Sequence, residues 1–193
     1  KLMLSEKETL EILKKTHSLL EGHFILSSGL RSEKYLQCAK LMMYPDLAEK
    51  ICQSLSDKIK KESLNFDIIA SPAIGGILVG YQVSKFLNVP NIFVERVYNL
   101  FQLRRGFNCK NKNILIIEDV TTTGKSSIEC AECLKNLGAE ISGFGCIVDR
   151  TAGKSRIDKI ISQISFNFST FTKDNLPEHL KNIEVTKPGS RNI

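Results

Sequence analysis

The residues best suited to chemistry lie in one thirteen-residue run, Ile114-Leu115-Ile116-Ile117-Glu118-Asp119-Val120-Thr121-Thr122-Thr123-Gly124-Lys125-Ser126. Four aliphatic residues lead into an acid pair, then into a loop rich in hydroxyls. Thr121, Thr122, Thr123 and Ser126 supply those hydroxyls, and Gly124 lets a ligand approach the backbone. The N–H groups that open a following helix favour an anion. A monophosphate suits such a loop. The carboxylates of Glu118 and Asp119 would repel it, so they suit a ribose diol or a Mg²⁺ that bridges ligand oxygens. The run therefore reads as a grip on both ends of a phosphorylated sugar. Ser, Thr and Asp also cap helices, so the plainer reading is a buried strand with a Thr-rich cap, and the acid pair argues against it. Gly124-Lys125-Ser126 resembles the tail of a nucleoside-triphosphate loop, but that pattern needs Gly five residues before Gly124, where this chain has Asp119.

Three further places carry chemical potential. Ser71-Pro72-Ala73-Ile74-Gly75-Gly76 follows a buried-strand pattern, and paired glycines there suit either backbone contact with an anion such as pyrophosphate or close helix packing. Residues 95–107 hold Arg96, Arg104 and Arg105 among Tyr98, Phe101, Leu103 and Phe107. Such a segment is either a mobile, phosphate-clamping lid or a basic hairpin with a half-buried apolar face. Arg150 comes just after another strand pattern, where a guanidinium can pair with a carboxylate on a ligand or with Asp149 and solvent.

The elements that must position these residues alternate. Ser5-Glu6-Lys7-Glu8 is a capping box, opening a helix with Leu10, Leu13, His17 and Leu20 on one stripe and a close near Gly22. Short extended pieces follow at residues 24–26 and 35–38. Pro45 starts a helix in which Leu47, Ile51, Leu55 and Ile59 recur. Strands are expected at residues 67–70, 91–95, 113–117 and 141–148, with helices from Gly75 and over residues 124–137. This order predicts an α/β fold with a doubly wound, mainly parallel sheet and helices on both faces. Residues beyond about 160 carry no readable chemistry and are expected to complete sheet and surface.

Composition fits one domain. The chain has 193 residues, 42% hydrophobic and 25% charged, enough for a single core. Its net charge of +6 comes from scattered lysines, without a nucleic-acid-binding motif, so it suits steering of a small polyanion better than binding nucleic acid. Of six cysteines only Cys130 and Cys133 form a C-x-x-C pair. With no second pair or nearby His, the expectation is free thiols in a reducing compartment rather than zinc. No apolar run approaches the roughly 20 residues of a membrane span, and the first residues lack a secretory pattern, so the expected location is the cytoplasm.

The motif run resembles the phosphoribosyl-pyrophosphate (PRPP) signature of type I phosphoribosyltransferases. Gly22-His23-Phe24-Ile25-Leu26-Ser27-Ser28-Gly29, Ser71-Pro72-Ala73-Ile74-Gly75-Gly76-Ile77 and Val148-Asp149-Arg150 fall in the order seen in the orotate branch of that family. Glu95-Arg96 followed by Leu103-Arg104-Arg105-Gly106-Phe107 is similar to a bacterial group within it, which lacks the Lys and His of better-known catalytic loops.

The resemblance implies the type I fold, with residues 1–193 as one domain, a small amino-terminal hood from about residues 1–40 and a core sheet over about 60–150. It implies transfer of ribose 5-phosphate from PRPP to orotate in de novo UMP biosynthesis, with Mg²⁺ as cofactor and a homodimer as the working form. PRPP contacts fall on Glu118, Asp119, Val120, Thr121, Thr122, Thr123, Gly124, Lys125, Ser126, Gly75, Gly76 and Arg96. Glu118 and Asp119 would serve the metal. Arg96, Arg104, Arg105 and Asp119 form the catalytic set, and orotate contacts fall on Thr122, Arg150, Ser27 and Tyr35. Three departures from the pattern stand out: Gly75 and Ser27 replace frequent lysines, and Tyr35-Leu36 replaces a frequent Phe-Phe pair. The rival readings are a purine phosphoribosyltransferase and a regulator that binds PRPP without turnover.

Overall fold

Ile114, Leu115, Ile116 and Ile117 are fully buried, as a strand covered on both faces requires. Each such side chain contributes roughly 1.5–3 kcal/mol relative to exposure. The computed structural model describes residues 3–26 and 28–188. Its elements are α1 (Glu6–Lys15), β1 (Leu19–Ile25), β2 (Arg31–Leu36), α2 (Ala39–Met42), α3 (Pro45–Lys60), β3 (Ile68–Pro72), α4 (Gly75–Leu87), β4 (Asn91–Val97) and β5 (Leu100–Leu103), then β6 (Asn113–Thr121), α5 (Lys125–Asn136), β7 (Glu140–Asp149), β8 (Ile161–Ser165), β9 (Thr170–Phe171), α6 (Glu178–Lys181) and β10 (Val185–Thr186).

The main sheet runs β5-β4-β3-β6-β7-β8, parallel except at the β4–β5 edge. Leu115 and Ile117 join one apolar cluster with Leu13, Ile51, Leu55, Val79 and Val83 of α1, α3 and α4. Ile114 and Ile116 join the opposite cluster with Cys130 and Leu134 of α5. Helices thus cover both faces, as the strand–helix alternation predicted. From β3 the chain moves outward through β4 and β5, then returns to lay β6 against the other side of β3. That reversal opens a crevice at the carboxyl edge between β3 and β6, where ligands of such sheets bind.

The sheet runs past the expected limit near residue 150, because β8 adds a sixth strand. Residues beyond 160 do more than close the surface: β9 and β10 join β1 and β2 in a second sheet of order β10-β1-β2-β9. The two extended pieces expected near residues 24–26 and 35–38 are longer strands, paired as a hairpin. The first helix is shorter than its stripe predicted. The capping box forms, with Glu8 Oε2 accepting from the Ser5 N–H at 2.7 Å and Ser5 Oγ from the Glu8 N–H at 3.2 Å. At the other end Thr16 donates its hydroxyl back to the Ile12 carbonyl at 2.9 Å, and His17 turns to φ 54°. Leu20 then pairs with Tyr35 in the hairpin, so strand pairing takes residues that helical periodicity also fitted.

Candidate active site

Strand alternation and strand order together bring the chemical residues to one edge. Arg96 lies near the end of β4, Gly75 opens the helix after β3, residues 118–126 end β6 and open α5, and Arg150 follows β7. β4, β3, β6 and β7 are successive neighbours, so these four groups line one crevice.

The acid pair sits at its centre. β6 extends to Thr121, four residues past the expected end, because Glu118, Val120 and Thr121 pair with Cys146, Val148 and Asp149 of β7. Glu118 is buried, 8% exposed. Burial raises its pKa, the neighbouring Asp119 carboxylate adds to the effect, and a hydrogen bond with Ser127 opposes it, leaving the group at about 8. Burial also raises Asp119, whose Oδ1 accepts the Val120 N–H at 2.8 Å. The pair is desolvated and short of cationic partners, a state that a bound cation or sugar hydroxyls would relieve.

The hydroxyl-rich loop follows. Thr121 is buried and hydrogen-bonded to Cys146, so its hydroxyl faces the core, while Thr122, Thr123, Lys125 and Ser126 are exposed. Gly124 takes φ 80° at the start of α5, which has no side-chain cap. A Cβ on Gly124 would lie 2.4 Å from Ser155 Oγ, so the connection after β7 packs directly on the loop. The uncapped helix start leaves N–H groups for an anion. Helix α4 likewise starts without a side-chain cap, after a cis peptide at Ala73–Ile74. A Cβ at Gly75 would fall 2.6 Å from Asp119 Oδ2, which ties this turn to the acid pair.

The segment over residues 95–107 is a hairpin. β4 pairs antiparallel with β5 through Glu95↔Gln102, Arg96↔Phe101 and Val97↔Leu100, turning at Tyr98 and Asn99, both at positive φ. The alternation of apolar residues thus marked a strand pair, the form that the second of the two sequence readings gave this segment. Arg96 lies over the Phe101 ring at 4.0 Å and donates to the Asn99 carbonyl at 2.8 Å and to Glu129 Oε2 at 2.5 Å. Arg105 pairs bidentately with Glu95 at 2.8 and 2.7 Å. Arg104 is exposed.

Arg150 is half-buried. Its backbone N–H donates to the Thr121 carbonyl at 2.8 Å, its guanidinium stacks on Phe168 at 3.8 Å, and its Nε is buried without a partner. Among the described residues no carboxylate pairs with it; Asp149 instead accepts the Thr151 N–H. Burial lowers its pKa. A desolvated cation without a counter-ion invites an anionic ligand.

Tyr35 of β2 packs against Phe24 with ring centroids 5.9 Å apart. The end of this strand approaches the acid pair, since Asp119 acts electrostatically on the Cys38 thiol. Ser27 lies outside the described residues. Sequence reading missed Glu129, Ser127, Ser155 and Phe168; of these only Glu129 left a local trace, standing four residues after Lys125. A cavity of about 530 Å³ lies between α5 and residues 156–161, lined by Ile128, Phe144 and Ile157. Neither Arg150 nor residues 118–126 line it, so the chemistry is not placed there. All six cysteines are free.

Known proteins resemble this chain in sequence and in fold. The phosphoribosyl transferase domain family matches residues 43–175. A curated orotate phosphoribosyltransferase of Brucella anthropi is 41% identical over 192 residues, 98% of this chain and 100% of that protein. Among solved structures, an orotate phosphoribosyltransferase from Aeropyrum pernix superposes with a TM-score of 0.70 at 23% identity, over 81% of this chain and 92% of that one. An adenine phosphoribosyltransferase from Thermoanaerobacter pseudethanolicus gives 0.57 at 20% identity, over 69% and 88%. The fold is thus shared by enzymes named for different bases, while the extended sequence identity is to the orotate group. The chain belongs to the orotate phosphoribosyltransferase family.

Proposed function

We propose that this protein transfers the ribose 5-phosphate of PRPP to orotate, giving orotidine 5′-phosphate and pyrophosphate. The observation that carries the acceptor is Arg150, a half-buried guanidinium without a counter-ion, fixed through its backbone to the phosphate-loop strand. Orotate has a carboxylate to meet that fork, and purines have none.

The donor's 5-phosphate takes the N–H groups and hydroxyls of residues 122–126, and its diphosphate faces the turn at Gly75 and Gly76. Glu118 and Asp119 would meet the ribose hydroxyls and would be the residues to hold Mg²⁺. The described residues hold no cluster of three or more His, Cys, Asp or Glu fit for a metal. Two hard carboxylates suit a Mg²⁺ that takes its remaining ligands from substrate and water. When bound, it supplies charge neutralisation on the diphosphate. Orotate N1 attacks C1 of the ribose as the diphosphate leaves, without a covalent enzyme intermediate. The protein contributes alignment, arginine charge at the leaving group and a partly dehydrated crevice.

The working form is a homodimer of single-domain subunits, in which the β10-β1-β2-β9 sheet serves as the hood over the base. Ile74, Leu78 and Tyr81, 85%, 56% and 65% exposed, form an i, i+4, i+7 apolar stripe along α4 and its entry turn. An uncharged stripe beside the crevice suits contact with a second copy. The cytoplasm is the expected location; no helix among the described residues is long and apolar enough to cross a membrane.

Mixing protein, Mg²⁺, PRPP and orotate and following orotate absorbance tests the reaction. Loss of orotate is the expected result. Turnover with adenine or hypoxanthine alone would establish the purine reading, and PRPP binding without turnover the regulatory one.

A further inference from the structure

Arg96, Arg104 and Arg105 are the arginines taken to supply charge at the leaving diphosphate, and two of them, Arg96 and Arg105, are paired with a carboxylate. Arg105 Nε and Nη2 reach the two oxygens of Glu95 at 2.8 and 2.7 Å. Arg96 Nη2 reaches Glu129 Oε2 at 2.5 Å, while its other contacts, the Asn99 carbonyl and the Phe101 ring, hold the guanidinium plane in place. Glu129 also faces Lys125 of the phosphate loop at 3.8 Å, so one carboxylate bridges the hairpin and the helix that opens at the donor site.

A carboxylate offers a guanidinium two coplanar oxygens, the same presentation as two oxygens of a phosphoryl group. Glu95 and Glu129 therefore occupy the directions from which a diphosphate would accept. Because they are tethered, they compete at high effective concentration however dilute the surrounding anions are. The guanidinium contacts also lower the pKa of both glutamates, which keeps them charged across the neutral range.

We propose that Glu129 and Glu95 are internal competitors of the diphosphate, returning to Arg96 and Arg105 as the product departs and thereby speeding its release. The inference rests on the reading of those arginines as diphosphate ligands. A device of this kind weakens donor and product alike, and its benefit falls on the step after chemistry, which limits many enzymes.

Calorimetric titration of pyrophosphate, with Mg²⁺ at fixed ionic strength, into wild type, Glu129→Gln, Glu95→Gln and Arg96→Ala tests it. Each glutamine variant is expected to bind pyrophosphate about two- to fivefold tighter, the range for losing a competing exposed ion pair. The product-inhibition constant in the forward reaction should fall by the same factor. Arg96→Ala should bind more weakly. Unchanged or weaker binding by both glutamine variants would overturn the proposal, weaker binding showing that the glutamates position the arginines. Unchanged binding by Arg96→Ala would instead remove the underlying assignment of Arg96. Thermal melting of each variant separates these outcomes from misfolding.

Discussion

Asp119 and Gly75 are in such close apposition that a single added carbon would collide: a Cβ at position 75 would lie 2.6 Å from Asp119 Oδ2 and 2.9 Å from Oδ1. The missing side chain at Gly75 is thus the space in which the carboxylate sits. The frequent Lys of related enzymes has no room here unless Asp119 turns away from the Val120 N–H.

Gly75→Ala should therefore damage the site more than the fold. The carboxylate is the movable end of a short side chain, so melting temperature should change little. Displacing it should lower kcat/KM for PRPP on the order of ten- to a hundredfold. Steady-state kinetics alongside thermal melting checks this, and a variant with normal kinetics would show that Asp119 orientation does not matter.

Arg150→Ala should raise the orotate dissociation constant by one to three orders of magnitude, about what a charged, hydrogen-bonded pair contributes. PRPP affinity should stay within about twofold, since the backbone bond to Thr121 survives truncation. Arg150→Lys should recover only part of the loss, because an ammonium cannot form the planar fork. The unliganded Ala variant should melt no lower than wild type, because the lost group is a desolvated cation with an unpartnered Nε. Binding measured by calorimetry and melting measured without ligand supply the two readings.

Stability of the metal-free protein should fall as pH rises from about 5 to 8. Glu118 holds its proton to about 8 when folded and to about 4.3 when unfolded. Between those values the folded state binds more protons, so raising pH favours unfolding. The contribution is fully present below the unfolded value and lost as pH passes the folded one, a few kcal/mol at most. Urea titrations in chelator at several pH values should show the slope, and Glu118→Gln should lessen it, Asp119, also raised by burial, supplying the remainder.

Leu78→Glu on the exposed stripe of α4 should yield monomers at micromolar concentration while leaving secondary structure intact, because an interface centre tolerates no unpaired charge. Sedimentation velocity measures this directly. A monomeric wild type, or an unaffected dimer in the variant, would remove α4 from the interface.

Legibility in the sequence followed the distance over which each feature is determined. The run from Ile114 to Ser126 was readable because its strand, acid pair, loop and helix start are consecutive, and Arg150 because it follows a strand directly. The hairpin at residues 95–107 was left undecided: its turn places Tyr98 and Asn99 at positive φ, where Asn-Gly would have announced the turn. The first helix was read too long because Leu20 fits a helical stripe as well as a strand, and only pairing with Tyr35 decides. Glu129 against Arg96 and Phe168 beneath Arg150 are tertiary contacts, which no local pattern encodes. β9 and β10 contain two residues each, too few to show a period.

Those two short strands have a bearing on how the molecule is made. β10 pairs with β1 through His23↔Val185, and β9 with β2 through Ser32↔Thr170, so this small sheet draws together residues far apart along the chain. Such distant pairings carry a large loop-closure cost and form late. On the proposed assignment, the strands that carry the donor contacts and Arg150 are all present once residue 150 has been synthesised, whereas the hood over the base waits for residues 170–186. On that assignment the base site receives its guanidinium before it receives its cover.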